Sequence, residues 1–179
     1  MIHWRFAPFA ELSALEVHDL LQARAAVFVV EQDCVFQDVD GVDPACWHLL
    51  GRSPSPAAPS ASGARNVQQG VGEGRGEGHC RGEGPLVAYC RLVPPGVKYP
   101  EPSIGRVLTA EAARHSGAGR ALMAEALARA GRLWPGQAIR IGAQHYLERF
   151  YGTFGFVQAS DPYDEDGIQH IEMVRNPER

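Results

Sequence analysis

The stretch Arg114-His-Ser-Gly-Ala-Gly-Arg120 lies directly before a long run of helix-forming residues. The first backbone N–H groups of a helix have no partner within it, and the helix dipole places partial positive charge at the same end. Gly117 and Gly119 leave these groups unshielded because glycine has no side chain. The stretch therefore predicts a binding site for phosphate oxygens and, with it, a nucleotide-like ligand.

Length and composition indicate an ordinary globular protein. The chain has 179 residues, of which 45% are hydrophobic and 21% are charged, and we expect residues 1–179 to form one domain. The formal net charge of −4 argues against binding to nucleic acid through a basic surface. No apolar run approaches the ~20 residues that cross a membrane, and the N-terminus lacks the features of a signal peptide. We therefore expect a cytoplasmic protein that binds neither nucleic acid nor membrane.

The cysteines do not form a Cys-x-x-Cys pair. Two short Cys/His pairs, Cys46 with His48 and His79 with Cys80, would together offer four zinc ligands. Neither pair has the roughly two to four intervening residues usual in structural zinc sites. We therefore predict no metal site, and free thiols at Cys34, Cys46, Cys80 and Cys90.

Hydrophobic periodicity and turn residues predict an α/β (α+β) fold in which strands flank a strand–helix–strand unit. The spacing of Ser13 and Glu16 predicts a capping box at the start of the first helix. Ser116 is expected to cap a second helix that begins at Gly117. The expected strands are residues 2–6, 47–51, 86–93, 103–109, 139–143 and 171–174, and the expected helices are 13–29, 117–134 and 146–153.

Residues 52–84 differ in composition from the rest of the chain. Gly, Ser, Pro, Ala and Arg dominate them, and they contain the near-repeat Gly-Glu-Gly-Arg-Gly-Glu-Gly. Too few apolar groups are present to offset the entropy that ordering would cost. We expect a flexible insertion between the second and third strands, with a partner-binding arm as the alternative.

Two common nucleotide-binding fingerprints do not fit the glycine-containing stretch. A dinucleotide-binding Gly-x-Gly-x-x-Gly/Ala motif requires a small residue where Leu122 stands, and the next strand ends Ile141-Gly142-Ala143 without an acidic residue for a ribose hydroxyl. A nucleoside-triphosphate P-loop requires Gly-Lys-Ser/Thr, which is absent from the sequence. The remaining pattern is Arg-x-x-Gly-x-Gly after a strand.

A second motif, Tyr151-x-x-x-Gly155-Phe156, follows this pattern along the chain. With both motifs in this order, the chain resembles the GNAT acyltransferases, which bind acetyl-CoA through such a loop. The resemblance covers the chain outside residues 52–84. It implies a GNAT-like mixed, mostly antiparallel central sheet flanked by helices.

Further segments are similar to the ElaA-type subgroup of this family, namely residues 27–32, 37–41, 104–107 and 166–171. The chain departs from the subgroup in two places. Cys34-Val-Phe36 stands where Cys-Pro-Tyr is usual, and Gln169 stands where proline is favoured. Both departures fall on the acceptor side rather than on the coenzyme side.

The resemblance implies which residues bind the coenzyme. The pyrophosphate would lie on the backbone amides of residues 116–120, and the pantetheine arm would pair with the backbone of residues 107–109. An alternative interpretation of Arg114 and Arg120 is that they are ordinary solvated residues at the start of a helix. The implied coenzyme-binding set is Val107, Leu108, Thr109, Arg114, Ser116, Gly117, Ala118, Gly119, Arg120 and Gln144.

Acyl transfer to an amine requires a base for the amine and benefits from a proton donor to the leaving thiolate. By resemblance, Tyr151 is the general acid, and a packed aromatic beside Phe150 and Phe154 is the alternative. Glu31 is our candidate for the base, because it follows the first helix in a region that lines the acceptor cleft of this superfamily. Other candidates are Asp40, His48, Glu165, Asp166, His170 and a chain of waters.

Acidic residues are dense in residues 33–43 and 161–166. If both segments border the acceptor cleft, their field favours a cationic amine, and we expect Asp40, Asp166 and His170 to contact it. The predicted function is transfer of an acetyl group from acetyl-CoA to a primary amine of a small molecule or a protein, by a monomer or homodimer. A coenzyme A-binding or partner-recruiting protein without catalysis is the alternative.

Overall fold

A computed structural model describes residues 1–54 and 84–177. The strands are β1 (His3–Pro8), β2 (Trp47–Arg52), β3 (Leu86–Val93), β4 (Ser103–Thr109), β5 (Ile139–Gln144), β6 (Val157–Gln158), β7 (Tyr163–Glu165) and β8 (Ile168–Arg175). The helices are α1 (Ala14–Arg24), α2 (Ala118–Leu133) and α3 (Glu148–Gly152), and a π-helix (Ala25–Glu31) continues α1. Within the described ranges, no helix is both long and apolar enough to cross a membrane.

The strands form one sheet in the order β1-β2-β3-β4-β5-β8-β6, with β7 pairing with β8. Neighbouring strands are antiparallel except β4 and β5, which are parallel. The expected α/β fold with a mostly antiparallel sheet is therefore confirmed. The expected insertion falls between β2 and β3, and its residues 55–83, with their predicted flexibility, lie outside the described ranges.

The first helix begins as predicted and ends differently. The Oγ of Ser13 accepts from the Glu16 N–H at 3.2 Å, and Oε2 of Glu16 accepts from the Ser13 N–H at 2.8 Å, which confirms the capping box. The α-helical part ends at Arg24, and the chain continues as the π-helix rather than as the predicted α-helix to residue 29. The wider turn moves later side chains around the axis, so the sequence spacing misplaces them.

The second helix begins one residue later than predicted, and its cap is different. Gly117 is the N-cap residue, with φ +88° and no side-chain hydrogen bond to the first turn. The Ser116 hydroxyl instead donates to the carbonyl oxygen of Ala113 at 2.6 Å. The expectation that Ser116 caps this helix is wrong, because the chain enters the helix through the left-handed backbone of Gly117.

Apolar residues pack on both faces of the sheet. On one face, Met123, Ala126 and Ala130 of α2 are buried. On the other face, Leu20 of α1 packs in a second buried cluster that includes Leu108 of β4. Each such leucine contributes about 1.5–3 kcal/mol by its removal from water. The two clusters hold the middle of β4 between helices on opposite sides.

Strand β4 contains a bulge and separates from β5. Tyr89 pairs with Leu108 and Arg91 pairs with Gly105, so two β4 residues, Arg106 and Val107, stand opposite one residue of β3. Arg106 has φ +51°, an uncommon conformation for a residue with a side chain. The ladder between β4 and β5 pairs Ser103 with Arg140, near the start of each strand. Beyond that pair the two strands diverge and leave a gap in the sheet.

The short strands near the C-terminus are not predicted from the sequence. Strand β6 has two residues and β7 has three. Such segments are too short to show the alternation that identifies a strand. Strand β8 is present as expected, but it begins at Ile168 rather than at residue 171.

Candidate active site

A cleft of about 900 Å³ opens where β4 and β5 diverge. The π-helix, the end of β4, the loop before α2, β5, α3 and the β7–β8 turn contribute to its walls. The structure brings most predicted site residues together around it: Glu31, Val107, Leu108, Thr109, Arg114, Gly117, Ala118, Gly119, Arg120, Gln144, Tyr151, Asp166 and His170. Ser116 and Asp40 are not among the lining residues.

The start of α2 presents unpaired backbone donors to this cleft. The first hydrogen bond of the helix runs from the N–H of Ala121 to the carbonyl oxygen of Gly117 at 3.0 Å. The N–H groups of Ala118, Gly119 and Arg120 precede it, and no side chain caps them. Donors in this arrangement, at the positive end of a helix dipole, suit the oxygens of a phosphate group.

The other predicted anion ligands differ in their availability. Nη1 of Arg120 lies 3.3 Å from Oγ1 of Thr153, which leaves its charge without an acidic partner among the described residues. Arg114 is paired: its Nη1 and Nη2 each lie 2.6 Å from a carboxylate oxygen of Glu31. The contact joins the end of the π-helix to the loop before α2 across the cleft.

The same contact changes the expected role of Glu31. The hydrogen bonds and charge of Arg114 lower the pKa of the Glu31 carboxyl group below its ordinary value. A carboxylate with a lowered pKa that is already bound to a guanidinium is a weak proton acceptor. The geometry therefore argues against Glu31 as the general base and favours an electrostatic role at the cleft mouth.

Tyr151 lies on the cleft wall and within the apolar core. Its side chain is 6% exposed, and its ring packs edge-on against Phe150 and Phe156. Burial raises the pKa of its hydroxyl group, which therefore stays protonated across ordinary pH. The hydroxyl has no hydrogen-bond partner among the described residues. The packed aromatic ring is confirmed, and the general-acid role stays a prediction that a protonated hydroxyl group beside the cleft permits.

The backbone of β4 and the side chain of Gln144 line opposite sides of the gap. Val107, Leu108 and Thr109 follow the bulge, where β4 no longer pairs with β5. Nε2 of Gln144 donates to Oε1 of Gln32 at 3.3 Å, and the Tyr146 hydroxyl donates to Oε1 of Gln144 at 2.6 Å. Gln144 thus connects β5 with the end of the π-helix.

One wall of the cleft contains the β7–β8 turn. Asp166 is exposed in this turn at φ +53°, and its carbonyl oxygen accepts a hydrogen bond from Sγ of Cys34 at 3.4 Å. Nδ1 of His170 lies 2.8 Å from the carbonyl oxygen of Ile168, and its ring stacks on Tyr163. Because a carbonyl oxygen only accepts, Nδ1 carries the proton and donates it.

Asp40 has a different position from the one predicted. Its carboxylate binds the guanidinium groups of Arg91 and Arg106. Burial alone would raise the pKa of Asp40, but hydrogen bonds and charge from these arginines hold it well below its usual range. The placement supports a structural role rather than contact with the acceptor.

His48, another candidate base, does not line the cleft and is fully buried. Its Nε2 lies 3.0 Å from the carbonyl oxygen of Asp43, so Nε2 must donate, and Nδ1 accepts from the Tyr89 hydroxyl at 2.8 Å. Burial lowers the pKa of this imidazole, so it is held neutral. His48 is therefore a structural histidine.

Sequence reasoning did not identify the arginines that bind the acidic loop. Arg24, Arg91 and Arg106 are far apart in sequence and belong to no local motif. Residues 37–41 were noted only for their similarity to the ElaA-type subgroup. Free thiols are confirmed for Cys34, Cys46 and Cys90, whereas Cys80 lies outside the described ranges. In the part of the chain that the structure describes, no cluster of three or more His, Cys, Asp or Glu residues could hold a metal ion.

Comparisons with known proteins show which family this chain resembles. The Acetyltransferase (GNAT) domain family matches residues 83–176. Protein ElaA of Escherichia coli is 36% identical over 177 residues, covering 98% of this chain and 97% of the relative. A UPF0039 protein of Synechocystis is 40% identical over 173 residues, covering 97% and 94%.

Solved structures show the same similarity. The crystal structure of an acyl-CoA N-acyltransferase from Pseudomonas aeruginosa has a TM-score of 0.77 at 36% identity, covering 98% of this chain and 99% of that chain. The crystal structure of Escherichia coli ElaA also has a TM-score of 0.77, at 35% identity and with 98% and 100% coverage. This chain belongs to the GNAT acetyltransferase family and is of the ElaA type.

Proposed function

We propose that the protein transfers an acetyl group from acetyl-CoA to a primary amine. One observation carries this proposal: the unpaired amides that start α2 and the diverging edge of β4 line the same cleft as the protonated hydroxyl group of Tyr151. An anion site can bind the pyrophosphate of coenzyme A, an unpaired strand edge can bind its pantetheine arm, and a proton donor can assist departure of its thiolate.

The residues present fit the acyl donor. The N–H groups of Ala118, Gly119 and Arg120 would receive its pyrophosphate, because their hydrogen atoms have no partner in the helix. The backbone of residues 107–109 would pair with the amide groups of its pantetheine arm as an added strand does. When bound, acetyl-CoA would supply the activated acyl group.

Tyr151 would hold the proton that the leaving sulfur receives. Its raised pKa keeps the hydroxyl group protonated, and the absence of a competing acceptor among the described residues leaves that proton available. The packed ring fixes the position of the hydroxyl oxygen, while the O–H bond remains free to turn toward the sulfur. A general acid in reach of the reacting atom typically contributes about 10²–10⁴-fold to the rate.

The amine would enter from the β7–β8 turn. Glu165, Asp166 and His170 line this end, and neither carboxylate takes part in an ion pair among the described residues. Their field favours a cationic amine over a carboxylate-rich one. With Glu31 bound to Arg114, proton removal falls to His170, to these carboxylates or to water.

The test is release of free thiol from acetyl-CoA in the presence of candidate acceptors. The panel would contain polyamines, lysine derivatives, aminoglycosides, peptide amino termini and anionic amines. We expect turnover with cationic primary amines. Reaction with anionic acceptors alone would overturn the proposed acceptor class, and binding of acetyl-CoA without turnover on any amine would favour a non-catalytic binding protein.

A further inference from the structure

Six charged side chains beneath the acceptor side of the cleft form a closed ring of alternating arginine and aspartate. In order, they are Arg24, Asp38, Arg106, Asp40, Arg91 and Asp43, and Asp43 closes the ring on Arg24. Each member contacts both of its neighbours, at N···O separations of 2.5 to 3.3 Å. We call this set the ionic ring. It carries three positive and three negative charges, so its formal charge is zero.

The ionic ring joins segments that are distant in sequence. Arg24 ends α1, Arg91 lies on β3 and Arg106 lies in the β4 bulge, while all three aspartates belong to residues 38–43. Arg24 and Arg91 are almost completely buried, whereas Arg106 and Asp40 have side chains 19% and 28% exposed. The ring therefore has an inner part in the core and a partly exposed outer part, and its members Arg91 and Arg106 line the cleft.

Arg106 is the member with an unusual backbone. Its φ of +51° lies in the left-handed region, which a residue with a side chain adopts only at a cost in free energy. Two aspartates hold its guanidinium group, and Phe36 packs beneath that group at 5.4 Å. These contacts favour the left-handed conformation because they fix the direction of the Arg106 side chain.

The next residue, Val107, lies on the part of β4 that lines the cleft and no longer pairs with β5. In a bulge, one backbone conformation decides which way the following N–H and C=O groups point. We infer that the ionic ring, acting through Arg106, holds the β4 bulge and so positions the backbone of residues 107–109 for the acyl donor. Arg106 is thus a positioning residue, and this inference rests on the proposed function.

The test compares Arg106→Ala with Arg106→Gly in the full chain. Both changes remove the same charge and the same contacts from the ionic ring, so both disturb its electrostatics equally. They differ at the backbone, since glycine adopts positive φ freely and alanine does not. If the left-handed backbone of residue 106 shapes the bulge, glycine retains the bulge better than alanine does, and if the ring holds that backbone, the natural protein retains the bulge better than R106G does.

Two readouts separate this inference from the proposed function. The first is hydrogen exchange of the amides of residues 107–109, which requires no substrate. We expect protection to fall from the natural protein to R106G and further to R106A. The second is kcat and KM for acetyl-CoA, where we expect R106A to have about tenfold lower kcat/KM than R106G.

Glu125→Gln is the matched control for loss of an ion pair. It breaks a half-buried pair with Arg129 on α2, neither residue of which belongs to the ring, and should change neither readout. Equal protection of residues 107–109 in the natural protein and in R106G would show that the ring does not hold the bulge. Equal exchange and equal kinetics in R106A and R106G would show that the backbone conformation of residue 106 does not matter. Either result would overturn the inference. If the natural protein neither binds nor turns over acetyl-CoA, the proposed function fails, while the exchange comparison still decides the role of the ring.

Discussion

The carboxylate of Glu31 and the guanidinium group of Arg114 face each other across the cleft mouth through two contacts of 2.6 Å. From the sequence, Glu31 was predicted to be a base and Arg114 to be a phosphate ligand. In the structure, the two side chains instead form an ion pair with each other. Both side chains remain partly exposed, at 43% and 32%, so solvent weakens the pair and a phosphate group can compete for Arg114.

Glu31→Gln should therefore raise the affinity for acetyl-CoA. The change removes the competing anion and leaves Arg114 free to pair with phosphate. We expect a two- to fivefold lower Kd by isothermal titration calorimetry, in line with the ~0.5–1 kcal/mol typical of exposed pairs. Turnover should persist. A collapse of kcat with unchanged Kd would instead restore Glu31 as the general base.

Tyr151→Phe should lower kcat by about 10²–10⁴-fold with little effect on acetyl-CoA binding, because it removes the proton donor and keeps the packed ring. Since burial raises the pKa of Tyr151, its deprotonation should not limit the rate between pH 6 and about pH 10. Steady-state kinetics and calorimetry on the same preparation measure both effects. Equal losses in kcat and affinity would indicate a packing role.

Tyr89→Phe is the matched control for loss of a buried tyrosine hydroxyl away from the cleft. Its hydroxyl donates to Nδ1 of His48, so the change leaves a buried acceptor unpaired. We expect about 1–3 kcal/mol lower free energy of unfolding in urea, with kcat close to that of the natural protein. A large loss of kcat here would show that turnover is sensitive to core damage in general.

Two glycines of the α2 region should respond oppositely to alanine. Gly117 has φ +88°, so Gly117→Ala strains the backbone and should lower stability by about 1–2 kcal/mol while weakening acetyl-CoA binding. Gly131 lies within α2 with no atom within 4 Å of an added Cβ, so Gly131→Ala should raise stability by about 0.5–1 kcal/mol. Thermal unfolding measures both changes, and we expect a lower Tm for Gly117→Ala and a higher Tm for Gly131→Ala.

Acid should destabilise the protein through the ionic ring. Burial opposes ionisation of Asp40 and Asp43, but their arginine partners lower the pKa of both below the ordinary 3.8. Groups with a folded-state pKa below the unfolded value stabilise the folded state above the unfolded pKa, and this contribution is lost as pH falls through the folded pKa. We expect unfolding free energy to change little from pH 7 to 5 and to fall below about pH 4.

Asp40→Asn provides the control for that pH dependence. The variant should be less stable than the natural protein at pH 7 and should lose less stability between pH 5 and 3, because one titrating group is gone. Urea unfolding at each pH measures the difference. Parallel stability curves for the two proteins would show that Asp40 does not contribute to acid sensitivity.

Local signals predicted much of the fold. The Ser13 capping box and the central strands follow from spacings within a few residues. The loop ending at Gly117 indicated an anion site because helix-end geometry depends on neighbouring residues alone. The structure confirms the helix start beside the cleft, although Gly117 and not Ser116 is the cap residue.

Features that depend on distant partners were not predictable in this way. Asp40 meets Arg91 and Arg106 only after the sheet has formed, and nothing near Asp40 in sequence indicates either partner. The π-helix was missed because seven residues of apolar spacing do not distinguish its wider turn from an α-helix. The pairing of Glu31 with Arg114 likewise depends on where that π-helix ends.

The central claim is that this cleft binds a coenzyme A thioester. Thermal unfolding of the full chain with increasing acetyl-CoA tests it most directly, with NAD at matched concentrations as the control. A ligand that binds the folded state alone stabilises it by about 2.7 kcal/mol at a concentration of 100 Kd. We predict a Tm that rises with acetyl-CoA and does not change with NAD. An unchanged Tm with acetyl-CoA and with longer acyl-CoAs would contradict the claim.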